Sequence, residues 1–421
     1  MISSHCFSLA PSPREVRGGL AVPVDFERVE AQVTLDAKHH IARAVAAVEF
    51  ELGKHSGFPI FDLRQSVETA RLDGRTVSAK RMTQQVLGRD PKAHMRVLQA
   101  DLEAHSRHRL ELEYELRRPR SERAVGIEWD GVEPLAQWDF FMSDLAAGRY
   151  LEQWFPSNLI WDRFAFSLEL RIEGSHLAHK PITNGNVRWL EKNHWRIEFP
   201  ESFTAFCPML VLAPLRLLET RESNGLTLAQ HAGAGADLGC EEDRIRGWLG
   251  ENARTFGPYP HGDRFTAFLW SQPRSMEYAG AVTSSVNALE HEVFHSWWGR
   301  GVKPASQNDG WIDEAWAMWN TEPDRWTDRC VEWDDPPMRL CTDDPYHRVT
   351  PLESYREGVV FLAGLAGEVG IEELMEMMAD LYRLDPLQQL TTSALQQWIG
   401  KRAPKVNVRR HFDRFVYGLT K

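Results

Sequence analysis

Two histidines and two glutamates stand at spacings able to hold and use a metal ion. The stretch reads His291-Glu292-Val293-Phe294-His295, and Glu314 follows after eighteen intervening residues within Trp311-Ile312-Asp313-Glu314-Ala315-Trp316. On a helix, positions four apart share one face about a turn apart, so His291 and His295 can offer ring nitrogens to a single ion while Glu292 points beside it. Two imidazoles and a carboxylate from a second element give a tetrahedral zinc three ligands and leave its fourth position to water. That is the arrangement of a catalytic site. A structural site would call on cysteines, and none of the five lies in this stretch. Zinc lowers the pKa of its water from about 15.7 towards 7, and Glu292, which is not a ligand, is placed to take that water's proton and hand it to a leaving amine.

An HExxH string also arises by chance, or as surface or core histidines, so the elements around it matter. Asn287, Ala288 and Leu289 before the motif, with Phe294, Trp297 and Trp298 within and after it, predict a helix with one buried face. Gly299, Gly301 and Pro304 then break the pattern, and Asn308-Asp309-Gly310 is turn chemistry set just before the element that carries Glu314. The expectation is helix, loop, helix.

The rest of the chain must build the scaffold. Its 421 residues suffice for two or three domains, and 43% hydrophobic with 26% charged residues is the composition of an ordinary globular protein. A formal net charge of −11 argues against nucleic-acid binding, which needs clustered Lys and Arg. No run of eighteen apolar residues predicts a membrane span, and Met1-Ile2-Ser3-Ser4-His5-Cys6 lacks the pattern of a secretory signal. Cys6, Cys207, Cys240, Cys330 and Cys341 form no disulfide framework, which predicts a reduced, cytoplasmic protein with Cys330 and Cys341 as buried free thiols, the other reading being a pair between these two in an oxidising setting.

Up to about residue 215 the period is two, as in Val29, Ala31, Val33 and Leu35, in Leu110, Leu112, Tyr114 and Leu116, and in Phe164 to Ile172. This predicts an N-terminal domain over residues 1–215 that is an antiparallel β sandwich with one solvated face, including a hairpin region from Thr183 to Phe199. From residue 216 to 421 the period lengthens. Ile245, Trp248, Leu249, Asn252 and Phe256 lie on one helix, Thr266 to Trp270 form a short buried strand, and Leu374 to Leu381, Leu395 to Ile399 and Val408 to Phe415 mark three later helices. The class is therefore α+β and multidomain, with a mainly helical second domain. The irregular, Asp-, Pro- and Arg-rich stretch from Glu322 to Pro351 reads as a solvated loop, with a cleft wall as the other reading.

Taken together these residues resemble the M1 family of zinc aminopeptidases, the gluzincins related to leukotriene A4 hydrolases. Besides the metal motif, Ser275-Met276-Glu277-Tyr278-Ala279-Gly280 is similar to the family's G-A/G-M-E-N stretch or its M-E-Y-P-G variant. Tyr355-Arg356-Glu357-Gly358 is similar to its Y-x-K-G-A run, and Phe256-Gly257-Pro258-Tyr259-Pro260 to its F-G-x-Y-P entry. The resemblance covers the chain from about residue 240 onward, with weaker support before it. It implies a saddle-like β domain followed by a thermolysin-like catalytic domain, one zinc per chain and a peptide substrate cleaved at its N-terminal bond. It assigns Tyr355 to the developing oxyanion, and Glu277, flanked by Met276 and Tyr278, to the substrate's free α-ammonium.

Two departures stand out. Arg274-Ser275 replaces the usual small pair, and Glu357 replaces the customary Lys. The given chain ends at Lys421, short of the helical domain that closes over many family sites, so a more open cleft is expected, or one closed by a second copy. That keeps a processing enzyme or endopeptidase open as an alternative. A non-catalytic peptide-binding relative is a second one, and hydrolysis of a lipid epoxide rests only on the resemblance.

Overall fold

The computed structural model describes residues 7–89, 94–117, 126–131, 134–139, 151–271, 275–322, 330–332 and 335–420. Arg274, and residues 323–329 and 333–334 of the Asp- and Pro-rich stretch, lie outside the described residues. The chain divides into two compact units, one of residues 1–143, 147–220 and 229–235, the other of residues 144–146, 221–228 and 236–421.

The first unit is built on the long strand Gly19–Asp36. From Val29 its buried and outward residues alternate, as expected for a sheet packed on one face, whereas Ala21 to Phe26 are buried continuously. Its sheet runs in the order Asn186–Glu191, His194–Phe199, Ala165–Glu173, Gly19–Asp36, Ile41–Leu52, Arg107–Glu115, Thr69–Leu72 and Arg75–Thr76. The expected all-antiparallel arrangement does not hold. Ala165–Glu173 runs parallel to residues 28–36, and Phe58 to Ile60 runs parallel to Ala21 to Pro23. Alternation fixes which face a side chain takes but not which strand lies beside it. A second sheet joins Ile127–Gly131, Pro134–Asp139, Leu210–Pro214 and His179–Thr183. The hairpin Asn186–Glu191 to His194–Phe199 turns at Lys192-Asn193, where Asn193 takes φ +58°.

The second unit is mainly helical, with strands Phe265–Leu269, Ala281–Ser284 and Met276–Tyr278 side by side in that order. Asp237 caps the helix Leu238–Thr255 by accepting from the backbone N–H groups of Gly239 and Cys240. Helices Trp311–Thr321, Glu353–Val369, Ile371–Leu384, Thr392–Arg402 and Val408–Phe415 surround one apolar core. Trp297, Trp298, Trp311 and Trp316 are fully buried in it. By area each is worth about 4–6 kcal/mol as an upper bound, so the floor under the two histidines is stiff.

Three expectations need correction here. The helix holding the histidine pair spans only Leu289–Phe294 and ends at His295, so Trp297 and Trp298 follow in a turn. The Asp- and Pro-rich stretch is not a solvated loop where it is described: Leu340, Cys341, Asp344, Tyr346, Arg348 and Thr350 are all buried. Asn308 Nδ2 donates to the Asp344 carbonyl, and Asp344 Oδ1 accepts from the Tyr346 N–H. Cys330 is exposed rather than buried, although both it and Cys341 are free. Among the described residues, no helix is long and apolar enough to cross a membrane.

Candidate metal centre

All the residues considered in this section belong to the second unit. The short helix Leu289–Phe294 ends where its sequence requires it to. Gly299 adopts φ +120°, and a Cβ there would come 2.8 Å from His295 Nδ1 and 2.9 Å from Asp313 Oδ2, so only glycine fits against the site. The turn is closed by Gly299 N–H to the Val302 carbonyl at 2.7 Å and by Arg300 N–H to the His295 carbonyl at 2.9 Å. Trp297 Nε1 donates to the Gly257 carbonyl at 2.9 Å, which ties the Phe256-Gly257-Pro258 segment to the same turn. The second element starts at Gly310 after a fixed loop, in which Asp309 Oδ1 accepts from the Thr392 N–H and hydroxyl at 2.6 and 2.9 Å.

These elements bring three electron-rich atoms together. His291 Nε2 and His295 Nε2 are 3.0 Å apart, and Glu314 Oε2 lies 3.4 and 3.5 Å from them. Bonds of about 2.0–2.1 Å to a tetrahedral ion put neighbouring donors about 3.3–3.4 Å apart, so the triangle has the size such an ion requires. The protons are also in the right places. His295 Nδ1 lies 2.8 Å from the Trp298 carbonyl, which can only accept, so the proton sits on Nδ1 and the Nε2 lone pair faces inward. His291 Nδ1 lies 3.5 Å from Thr321 Oγ1, whose own proton goes to the Ala317 carbonyl at 2.8 Å. Glu314 Oε2 is buried and accepts no aligned hydrogen bond. The residues present therefore fit a divalent cation.

The electrostatics agree. Burial alone would lift the Glu314 carboxyl, yet the His291 and His295 imidazoles beside it hold it below the ordinary carboxylate range. His295 is raised well above the usual imidazole value: burial opposes its charge, but Glu277 and Glu314 outweigh that. The carboxylates that favour a second proton on this ring would equally favour a cation on its Nε2 in that proton's place. Burial, and then the neighbouring charge of Glu277, push the Glu292 carboxyl well up. A buried glutamate held above the ordinary carboxylate range is suited to taking and returning a proton.

The other sequence-predicted residues fall as follows. The Tyr355 hydroxyl donates to Glu314 Oε1 at 2.6 Å. It reaches that point because Gly358, one turn later on helix Glu353–Val369, lets the helix lie directly on Ala315. Glu277 stands on the sheet's outermost strand, Met276–Tyr278, and has a ligand atom within 4.8 Å of His295 and of Asp313. Met276 and Tyr278 are 5% and 1% exposed, so what they can offer a substrate is backbone rather than side chain.

Three partners escaped the sequence reading: Asp313, buried beside His295; the Trp298 carbonyl; and Arg300. Asp313 is next to a predicted ligand, and that position was the available signal. Arg300 lies in a Gly-flanked turn, where a basic residue reads as solvated.

No protein-family profile matches this chain, and no curated protein matches it. Solved structures do. A mutant of the M1 zinc metallopeptidase of Deinococcus radiodurans bound to a Tyr-Ser-Ala substrate matches over 94% of this chain and 95% of its own, with 17% identity and a TM-score of 0.63. A two-domain M1 zinc metallopeptidase mutant bound to L-tryptophan matches over 98% and 97%, with 17% identity and a TM-score of 0.62. Yeast LTA4 hydrolase in complex with bestatin matches over 94% of this chain and 68% of its own, with 14% identity and a TM-score of 0.69. The chain thus has the fold of two-domain M1 peptidases.

Proposed function

From this shared fold and the converging donor atoms, we propose that the protein is a zinc-dependent metallopeptidase that hydrolyses the N-terminal peptide bond of peptides. The observation that carries it is the triangle of His291 Nε2, His295 Nε2 and Glu314 Oε2, with edges of 3.0 to 3.5 Å. In this reading those three residues would hold one zinc ion, whose chemistry there would be to activate a water and to polarise a carbonyl.

The chain's own residues do the rest. Glu292 takes the proton of the attacking water and returns it to the departing amine, a task matched to its raised pKa. Tyr355 already aims its hydroxyl at the metal-binding triangle, and swinging it from Glu314 Oε1 to the developing oxyanion stabilises the tetrahedral state. Strand Met276–Tyr278 offers the substrate its backbone edge, and Glu277 offers a carboxylate to the α-ammonium, which would bring the first peptide bond up to the three donors. The reducing, cytoplasmic setting belongs to the same reading and is supported by free thiols at Cys330 and Cys341.

The test is hydrolysis of an unblocked pentapeptide by zinc-loaded protein, with and without chelator, followed by mass spectrometry. Stepwise release of single N-terminal residues, abolished by chelator and restored by zinc, is the expected result. Internal fragments would replace the exopeptidase reading with the processing-enzyme one. Binding without any zinc-dependent cleavage would leave only a peptide-binding module.

A further inference from the structure

Arg300 lies five residues past His295, and its side chain is completely buried. Its Nη2 approaches Glu277 Oε1 to 2.7 Å, a charge contact that lacks hydrogen-bond alignment. Nε donates to the backbone carbonyl of the same Glu277 at 3.3 Å, and Nη1 donates to the Gly299 carbonyl at 3.0 Å. Arg300 is fixed in turn by the bonds that close the His295–Val302 turn, so the guanidinium is held on the strand's glutamate by the segment that ends the metal-binding helix. A guanidinium stays charged in any protein setting.

This contact bears directly on what the site recognises. An isolated buried carboxylate attracts an ammonium strongly and gives a neutral amide nitrogen nothing comparable. A carboxylate already facing a fixed cation is different. A substrate ammonium about 3 Å from Glu277 would lie about 5 Å from the guanidinium, and under common screening the repulsion cancels about three-fifths of the attraction. A nitrogen that is acylated or peptide-bonded feels neither force.

We propose that Arg300 sets the N-terminal selectivity of this site: by pairing with Glu277 it weakens the demand for a free α-ammonium, so that N-acylated peptides enter the substrate range. The proposal rests on the reading of the site as a peptidase centre with Glu277 facing the substrate's nitrogen. Arg300 acts through Glu277 and is a positioning residue, not a catalytic one.

The test compares kcat/KM for an aminoacyl fluorogenic amide with that for its N-acetyl counterpart, using zinc-loaded full chain and checking the metal content of every variant. Binding of one uncleaved tripeptide, free and acetylated, is measured alongside by calorimetry in a Glu292→Gln background. The wild type is expected to favour the free amine by no more than about tenfold, and Arg300→Gln to raise that preference at least tenfold further, mainly through KM and Kd. An unchanged or reduced preference in Arg300→Gln overturns the proposal, as does an equal loss on both substrates. Should Arg300→Gln fail to fold, Glu277→Gln decides: with Arg300 left unopposed it is expected to invert the preference in favour of the acetylated substrate, and a retained preference for the free amine overturns the proposal. A zinc-loaded wild type that cleaves neither substrate sinks the peptidase reading itself, an outcome distinct from an active enzyme whose selectivity ignores Arg300.

Discussion

Gly358→Ala tests whether the close approach of two helices is what brings Tyr355 to the triangle of His291, His295 and Glu314. An ideal Cβ on Gly358 comes 2.7 Å from the Cβ of Ala315. Carbon atoms rest about 3.5–4.0 Å apart, so helix Glu353–Val369 must retreat from helix Trp311–Thr321 by about 1 Å. Tyr355 lies three residues before Gly358 on the same helix face, and its hydroxyl sits 2.6 Å from Glu314 Oε1. The same retreat takes that pair to the outer limit of a hydrogen bond. A misplacement of about 1 Å in a catalytic group costs about 10²-fold in turnover. Overpacking costs about 1–3 kcal/mol, offset by about 0.5–1 kcal/mol gained by removing a mid-helix glycine. The net loss of about 0–2.5 kcal/mol lowers Tm by at most about 10 °C, at about 2–4 °C per kcal/mol for a unit of this size. The assay is kcat on an aminoacyl fluorogenic amide beside a thermal melt. The double variant Ala315→Gly with Gly358→Ala moves the methyl group from one helix to the other and should restore most of the turnover. A Gly358→Ala protein with wild-type kcat and an unchanged or higher Tm would refute the link between this contact and Tyr355.

Glu292→Gln should lower kcat by about 10²–10⁴-fold while zinc content stays at one per chain, measured by elemental analysis; loss of the metal as well would make the residue structural. Tyr355→Phe should lower kcat by about 10²–10³-fold with a smaller change in KM, and the reverse pattern in steady-state kinetics would move this phenol from the oxyanion to ground-state binding. Chelation should lower Tm, because an ion held at about 1,000 times its Kd contributes about 4 kcal/mol of stability, and added zinc should restore it. A melt insensitive to chelator would mean that the three donors hold no ion.

The sequence was most informative where one physical rule acts alone. Helix periodicity located Leu238–Thr255, Ile371–Leu384 and Val408–Phe415 because in each the buried residues form one stripe. It overran at His295, because Trp297 and Trp298 continue the apolar pattern although they are buried from a turn, in which the Ser296 and Trp297 N–H groups already reach only the Val293 and Phe294 carbonyls before Gly299 turns the chain at φ +120°. Strand alternation found the long strands but not the parallel pairing of Ala165–Glu173 with residues 28–36, since pairing partners are chosen by topology and not by period. Composition misread residues 335–350, because Asp344 and Arg348 are charged residues that nonetheless lie inside, and nothing in a residue type reveals hydrogen-bond partners supplied from distant segments.

The same division runs through the site. The spacing of His291, His295 and Glu314 is a one-dimensional signal, since a helix turn converts four residues into one face and the metal demands three donors. Arg300 carries no comparable signal. Its reach to Glu277 joins residues twenty-three positions apart through a turn, a strand edge and a buried guanidinium, none of which has a period. The chemistry a site performs is therefore written in donor spacing, which sequence displays, whereas what it selects depends on charges brought alongside those donors by the fold. That is why the metal-centre variants and the Arg300 variants should separate cleanly: the first group changes turnover on every substrate alike, the second changes the ratio between two substrates that differ only in the charge on one nitrogen.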